Sequence, residues 1–239
     1  MSARLTLLVS LLLAALPLLA VPHPLPSTPA PTFREGVVAA VITAGLFAVD
    51  ADVQRFAQHN RGNTTKDIAE VVTPLGDGRF TLPPLALCYV VGRTTHDDRL
   101  SRVGAMGVES FVLAGAISST VKFVAHRHRP SSGDGPWVWD GPSSSGSDQS
   151  FPSGHTTSAF SVATVIAGEY HEKGWVAPVA YGLATLTGLA RIHDDAHWAS
   201  DVFAGAAVGY LSGRAVLHWN AQKGPWTIAS DGASLRVAF

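Results

Sequence analysis

Apolar residues are concentrated in six stretches of the chain, in which Ala, Gly, Leu and Val predominate. Apolar and polar positions do not alternate strictly within these stretches, as they would along a half-buried strand, and this favours helices. The pattern therefore predicts an all-α protein with about six helices. The predicted helices are Gly36–Val49, Phe80–Gly92, Arg102–His126, Thr156–Tyr170, Trp175–Ala190 and Ala199–Trp219.

Prolines and glycines add detail to these helices. Pro83 and Pro84 suit the first turn of the second predicted helix, where a missing N–H costs no hydrogen bond. Glycines on two of the longer helices would let neighbouring helices approach closely. These glycines are Gly104, Gly107, Gly115, Gly205 and Gly209.

Segment length bears on whether the helices cross a membrane. The uncharged runs are mostly about 12–17 residues long, whereas a spanning helix needs about 20 apolar residues. Length therefore favours a soluble or peripheral bundle. A bundle that is apolar on most faces can also lie in lipid, so membrane association stays open.

The N-terminal part of the chain has the pattern of a targeting segment. Arg4 precedes the uncharged run Leu5–Val21, which indicates a signal peptide or a retained anchor over residues 1–21. Both alternatives predict an exported protein of the periplasm or cell envelope. Residues 22–34 are rich in proline and are expected to form an extended linker.

The remaining chain divides into a body and a tail. Residues 35–219 contain all six predicted helices and form the predicted helical bundle. Residues 220–239 have a different composition, and the Asp231-Gly232 pair could close a short hairpin there.

Composition excludes several classes of protein. The chain is 46% hydrophobic and only 15% charged, against about 25% charged in an average soluble protein. Its net charge of −1 offers no basic field for nucleic acid. Cys88 is the only cysteine, which excludes an internal disulfide and a metal–thiolate cluster.

One long polar segment interrupts the helical pattern. Thirteen of the twenty residues of Ser131–Ser150 are Ser, Gly or Pro. Long loops in compact domains are often functional, although a solvated spacer would have a similar composition. Trp137 and Trp139 favour the functional interpretation, because a spacer has no use for two tryptophans.

The first group of candidate site residues lies where the third predicted helix ends. Lys122 is a cation in an otherwise apolar helix, and a lone buried cation is costly without an anion nearby. Arg129 precedes Pro130 and is therefore held in extended geometry. The pair could bind phosphate or form an ordinary solvated basic helix end.

The second group opens the fourth predicted helix. Ser153 suits the N-cap position, and Gly154 would let an anion approach the backbone N–H groups of the first turn. His155 would face the same anion. An ordinary capped helix with an incidental histidine is the simpler alternative.

The third group contains a histidine and an acid one turn apart. His197 and Asp201 would share a face of the last helix, and an oriented neutral imidazole is a competent nucleophile. Arg191 ends the preceding helix, and a short loop would bring it towards the same place. A metal site that adds His193, Asp194 and Asp195 is an alternative, weakened because adjacent carboxylates tend to point apart.

Together the three groups supply what phosphoryl transfer requires. They combine three cations, backbone donors at a helix start, a nucleophile, its orienting acid and a second histidine. No Walker-type loop is present, which argues against a nucleotide-driven motor.

The order Lys-x6-Arg-Pro, Pro-Ser-Gly-His and Arg-x5-His-x3-Asp, all within Lys122–Asp201, resembles the type 2 phosphatidic acid phosphatase and vanadium haloperoxidase superfamily. The resemblance implies an antiparallel helical bundle with its site at one end. It also implies that Lys122, Arg129, Ser153, Gly154 and Arg191 bind phosphate. His197 would be the nucleophile, Asp201 its orienting partner, and His155 the general acid and later base. Ala190 departs from the family pattern, which usually has Ser before the arginine.

The same resemblance implies a function. It favours a phosphatase that needs no metal or other cofactor, forms a phosphohistidine at His197 and is inhibited by vanadate. The expected substrates are lipid or isoprenoid phosphates or small phosphate esters. A vanadium-dependent haloperoxidase and a catalytically silent binding protein on the same fold are the alternatives.

Overall fold

The protein is described by a computed structural model that covers residues 29–143 and 149–222. The all-α prediction is confirmed, with eight α-helices and two short 3-10 helices within these ranges, Thr73–Gly76 and Pro130–Ser132. The predicted signal or anchor over residues 1–21 and the proposed hairpin of the tail lie outside the described residues. The α-helices are α1 (Phe33–Phe47), α2 (Asp50–His59), α3 (Asn63–Val72), α4 (Gly78–Thr95), α5 (Asp98–Ala125), α6 (Gly154–Glu169), α7 (Val176–His193) and α8 (Ala199–Gln222).

The prediction of about six helices falls two short of the eight α-helices described, because α2 and α3 were missed. Both are ten-residue helices in which polar residues outnumber apolar ones. Each buries only a narrow stripe, Asp50 and Gln54 on α2 and Ala69 and Val72 on α3. A search for continuous apolar runs passes over helices of this kind.

Four helices, α1, α4, α5 and α6, begin two to four residues earlier than predicted, and the caps of α1 and α4 show why. Thr32 caps α1 through a capping box with Glu35, so this helix begins within the predicted linker, residues 22–34. Asp77 caps α4 by accepting a hydrogen bond from Arg79 N at 2.9 Å. As a result Pro83 lies in the second turn of α4 rather than in its first turn, and Pro84 follows it.

Helices α6 and α8 lie side by side at the centre of the bundle and run parallel. A Cβ on Gly205 would lie 2.6 Å from Ser153 O, and one on Gly209 would lie 2.3 Å from Thr157 O. The predicted close packing is therefore confirmed at these two glycines. It is also confirmed at Gly104 and Gly107, which lie against α4, whereas Gly115 faces open space. The packing at Gly205 and Gly209 brings the start of α8 against the start of α6.

The other long helices surround this pair and alternate in direction. Arg102, near the start of α5, pairs with Glu169 at the end of α6, so α5 and α6 are antiparallel. A Cβ on Gly188, near the end of α7, would contact Thr156 in the first turn of α6, so α7 is antiparallel as well. The ends of α5 and α7 and the starts of α6 and α8 therefore lie at one end of the bundle.

The outer helices expose large apolar side chains. Val41 on α1, Val71 on α3, Leu87 on α4 and Val112 on α5 are each at least 60% exposed. Among the residues that the structure describes, α5 is the one helix long and apolar enough to cross a membrane, and α1 with α2 meets the same test only if this pair, bent by 64°, counts as one segment.

Candidate active site

The predicted site residues lie together at the end of the bundle where four helix ends meet. The last turns of α5 and α7 supply Lys122 and Arg191, and the loop between α5 and α6 supplies Arg129. The starts of α6 and α8, with the residues just before them, supply the remaining groups. The loop between α5 and α6 closes this end. The residues are Lys122, Arg129, Ser153, Gly154, His155, Arg191, His197 and Asp201.

Lys122 reaches from the last turn of α5 to the segment before α6. Its Nζ donates to Gln149 O at 2.6 Å and to Ser150 O at 3.3 Å. A Cβ on Gly154 would lie 3.8 Å from Lys122 Cε. The ammonium therefore lies beside the first turn of α6, where backbone N–H groups attract anions.

Arg129 and Arg191 each bury a donor without an acceptor. In both guanidinium groups Nε is buried and has no hydrogen-bond partner within residues 29–143 and 149–222. An unsatisfied buried donor costs about 1–3 kcal/mol, and more where the group is charged. Arg191 Nη1 donates to Asp194 at 2.9 Å, so only part of that guanidinium is occupied. Two arginines, each with a buried Nε that has no partner among the described residues, form a site that an oxyanion would complete.

Ser153 occupies the predicted N-cap position of α6 but makes no capping hydrogen bond. Its Oγ accepts a hydrogen bond from Thr156 Oγ1 at 2.9 Å instead. Its backbone N donates to Asp201 O at 2.9 Å, which ties the start of α6 to α8. The N–H groups of the first turn of α6 consequently receive no capping hydrogen bond from the Ser153 side chain.

His155 is half-buried in the first turn of α6, and its ring makes no hydrogen bond with any described residue. Burial lowers the pKa of His155 to about 4, and Arg191, Arg129 and Lys122 add to this, whereas Asp77 opposes it. The imidazole thus lies in the field of all three predicted phosphate-binding cations. A bound phosphate would reverse this effect and raise the pKa of His155.

The sequence predicted that His197 and Asp201 lie on the same helix, and this prediction is wrong for His197. It belongs to the segment before α8, which begins at Ala199. Its Nδ1 is 3.7 Å from Asp201 Oδ2, too far for a hydrogen bond. The two residues are nevertheless neighbours, because Trp198 N donates to Asp201 Oδ2 at 2.8 Å and folds this segment over the start of α8.

Ser150 connects the two residues, and the sequence analysis missed it. Its Oγ lies 3.2 Å from His197 Nδ1 and donates to Asp201 Oδ2 at 2.5 Å. Ser150 is buried at the end of the long loop, three residues before Ser153. Serine is frequent in that loop, so the sequence carried no signal that singled out this one.

This bridge fixes the tautomer of His197. A carboxylate can only accept, so Ser150 must use its single proton on Asp201. Its oxygen then accepts from His197, which places the ring proton on Nδ1 and leaves Nε2 with a free lone pair. Burial lowers the pKa of His197 to about 4, Asp201 opposes this, and Lys122 and Arg129 add to it. The imidazole is therefore neutral at pH 7.

The residues of the alternative metal site point to separate partners. Asp194 pairs with Arg191 and lies 3.2 Å from His193 Nδ1, whereas Asp195 accepts from Gln54 of α2. No group of three or more His, Cys, Asp or Glu among the described residues is arranged to hold a metal ion. The adjacent carboxylates therefore diverge, as their positions in the sequence suggested.

The described part of the long loop packs aromatic rings over this end of the bundle. Trp139 contacts Phe47 and Phe151, with ring centroids 5.6 and 5.7 Å apart. Trp137 also contacts Phe47, at 5.9 Å, and is 64% exposed. The loop is thus anchored to α1 and to the segment before α6, and it is more than a spacer.

Comparison with known proteins identifies the family. Residues 106–225 match the profile of the PAP2 superfamily, which covers half of the chain. The protein therefore belongs to the PAP2 superfamily, and the predicted family is confirmed.

Two relatives share shorter segments with this chain. A 65-residue segment is 49% identical to lipid A 1-phosphatase of Porphyromonas gingivalis, over 27% of this chain and 15% of that protein. A 76-residue segment is 41% identical to the bacitracin transport permease protein BcrC of Bacillus licheniformis, over 32% of this chain and 36% of that protein. The chain thus matches well under two thirds of the length of either relative.

Two solved structures share the fold. A transmembrane PAP2-type phosphatidylglycerolphosphate phosphatase from Bacillus subtilis matches with a TM-score of 0.58 and 22% identity, over 78% of this chain and 93% of that one. LpxE of Aquifex aeolicus matches with a TM-score of 0.55 and 24% identity, over 71% and 94%. At these identities the likeness establishes the fold alone.

Proposed function

We propose that the protein is a phosphatase that hydrolyses phosphomonoesters through a phosphohistidine at His197. The proposal rests on one observation: the same site contains arginine N–H groups without a hydrogen-bond partner and a histidine whose ring is held in one tautomer. Arg129 and Arg191 each have a buried Nε without a partner among the described residues, and neutral His197 has its proton directed to Nδ1 by Ser150. Membership of the PAP2 superfamily supports the same function.

In the first step His197 Nε2 attacks phosphorus. Lys122, Arg129, Arg191 and the first-turn N–H groups of α6 bind the phosphoryl oxygens and stabilise their charge. The bond between phosphorus and the ester oxygen breaks as the nitrogen–phosphorus bond forms. His155 protonates the departing alkoxide, for which it must carry a proton in the substrate complex.

In the second step water replaces His197. Neutral His155 takes one proton from the water, whose oxygen attacks phosphorus as the nitrogen–phosphorus bond breaks. Inorganic phosphate leaves, and His197 returns to its neutral form with the proton still on Nδ1. Three protein cations balance the charge of the phosphate, so we propose that the reaction needs no metal and that vanadate inhibits it.

The substrate that we propose is a lipid or isoprenoid phosphate at a membrane surface. The outer helices expose large apolar side chains, and the chain is poor in charge. Trp137 at the site end and Trp175 at the opposite end are both about two-thirds exposed, as expected of residues at membrane–water interfaces. Two of the similar proteins are named for the lipid phosphates that they hydrolyse.

We also propose that the protein is exported and acts in the periplasm or cell envelope. The apolar run Leu5–Val21 and its preceding Arg4 support this proposal. Cell fractionation after expression, with the phosphatase activity followed in the soluble and membrane fractions, would test it.

The function is tested by assaying purified protein on a lipid phosphate and on a soluble phosphate ester. We expect release of inorganic phosphate that persists in excess chelator, and His197→Ala should reduce it by at least about a thousandfold. Activity of His197→Ala within tenfold of the wild-type protein would contradict the mechanism. Loss of activity in chelator that a divalent metal restores would contradict metal independence.

A further inference from the structure

Arg127 is a buried arginine whose guanidinium has no N–H group left to bind a substrate. Its side chain is fully buried, and its donors are all used. Nη1 donates to Asp201 Oδ1 and Ser200 Oγ, each at 2.7 Å. Nη2 donates to Asp50 Oδ2 and Pro136 O, each at 2.7 Å, and Nε donates to Pro136 O at 3.0 Å. In this respect it differs from the two arginines with unpaired Nε.

Aromatic rings enclose this guanidinium. Its central carbon lies 4.8 Å from the ring centroid of Phe47, 5.0 Å from that of Trp139 and 5.5 Å from that of Trp198. Cation–π contacts of this kind gain strength where water is excluded. The rings fix the position of Arg127 and keep its surroundings at a low dielectric, in which charges act strongly on one another.

Asp50, the first residue of α2, forms a buried cluster with Arg127, Ser200 and Asp201. It is fully buried, its Oδ1 accepts from Ser200 N at 2.9 Å, and its Oδ2 accepts from Ser200 Oγ at 2.5 Å and from Arg127. Burial raises the pKa of Asp50 above its ordinary value. Each of these groups donates to Asp50 and none accepts from it, so they favour the carboxylate form.

The cluster therefore holds two carboxylates and one guanidinium, a net charge of −1, beside His197. Without Asp50, the charge of Arg127 would cancel that of Asp201. The difference matters during the reaction, because attack by Nε2 with Nδ1 still protonated places a positive charge on the imidazole ring. A neutral neighbour would not stabilise that charge.

We propose that Asp50 and Arg127 are positioning residues for phosphoryl transfer: Arg127 holds Asp201, and Asp50 keeps the cluster negative, so that the phosphorylated imidazole is stabilised. This inference rests on the proposed phosphohistidine mechanism. A salt bridge between buried charges is weak evidence for stability, because its desolvation cost is large. Stabilisation of the positively charged imidazole would explain why the cluster contains two carboxylates, Asp50 and Asp201, but only one guanidinium group, Arg127.

The test separates the two chemical steps in Asp50→Asn. Single-turnover quenched-flow experiments use an aryl phosphate whose phosphoryl group carries the label. They measure how fast the labelled phosphoryl group appears on the protein and how fast it disappears. We expect label formation to slow by at least about tenfold, because positive charge develops in that step. We expect its loss to stay equal or become faster, because the positive charge disappears in that step.

Two matched variants separate charge from structure. Ser200→Ala removes hydrogen bonds from the same cluster and keeps every charge, so its ratio of formation to decay rates should remain that of the wild-type protein. Glu169→Gln removes a buried carboxylate that pairs with Arg102 at the other end of α6, and both rates should be unchanged. If Asp50→Asn does not fold, Asp50→Glu keeps the charge and should show the wild-type ratio.

The inference is overturned if Asp50→Asn slows formation and decay by the same factor, or changes neither. It is also overturned if Ser200→Ala slows formation of the phosphorylated protein but not its decay. The same result for Asp50→Glu would overturn the inference if Asp50→Asn does not fold. The proposed mechanism fails separately, if the wild-type protein forms no label or if His197→Ala forms as much.

Discussion

The Ser150 hydroxyl lies 2.5 Å from Asp201 Oδ2 and holds the carboxylate in place beside His197, whose Nδ1 is 3.7 Å from the same oxygen. Asp201 thus acts on His197 through a hydroxyl bridge rather than by direct contact. This relationship makes Ser150 a positioning residue of the proposed mechanism.

Replacing Ser150 with alanine should therefore impair catalysis more than binding. Without the bridge, His197 loses the acceptor that holds its proton on Nδ1, and we expect kcat to fall about 10–100-fold with little change in KM. Ser161→Ala is the matched control, because Ser161 is also a buried serine but its hydroxyl donates to Ser158 O within α6. Equal kcat values for the two variants in steady-state assays would rule out the bridging role.

Arg129 should contribute to binding of substrate and of vanadate alike. Its unpaired buried Nε awaits an oxyanion, so Arg129→Ala should lower kcat/KM by about 100–1000-fold and weaken vanadate inhibition strongly. The control is Arg93→Ala, in the last turn of α4 away from the site. Undiminished vanadate inhibition of Arg129→Ala, measured with a soluble phosphate ester, would show that this arginine does not bind the phosphoryl group.

The pH dependence of the rate should show that substrate binding raises the pKa of His155, the proposed general acid. Its pKa is about 4 without an anion, because burial and three cations disfavour the imidazolium. Rates that need protonated His155 fall as pH rises through its pKa, and bound phosphate raises that pKa. The basic limb of kcat should therefore lie at higher pH than that of kcat/KM for an alkyl phosphate.

The same experiment with His155→Ala identifies the group responsible. The basic limb should disappear, and the loss of activity should be smaller for an aryl phosphate whose leaving group needs no proton. A basic limb that stays unchanged in His155→Ala, or that coincides for kcat and kcat/KM in the wild-type protein, would assign the acid to another residue.

Gly205 should be essential for the spacing of α6 and α8. A Cβ there would lie 2.6 Å from Ser153 O, so Gly205→Ala should separate the two helices, destabilise the protein by about 1–3 kcal/mol and reduce activity. Gly115→Ala is the control, because nothing lies within 4 Å of its added Cβ, and alanine should stabilise that helix by up to about 1 kcal/mol. Equal melting temperatures for the two variants would argue against the tight contact.

The sequence predicted the parts of this protein that depend on local pattern. Continuous apolar runs located the long helices, and motif spacing identified residues such as Lys122 and His197 that the fold brings to one end. Neither pattern could reveal Ser150 or Asp50, because their importance comes from contacts with Asp201 and Arg127 across long stretches of chain. The same limit explains α2 and α3, whose burial depends on packing against α7 rather than on their own apolar content.

The most direct test of the account is to trap the phosphorylated enzyme. His155→Ala lacks the base for the second step, so incubation with a labelled aryl phosphate followed by an alkaline quench should accumulate label that is stable to alkali, labile to acid and located on His197. The double variant that adds His197→Ala should carry no label. Rapid turnover by His197→Ala, with no label on His197 in any variant, would contradict the phosphohistidine mechanism.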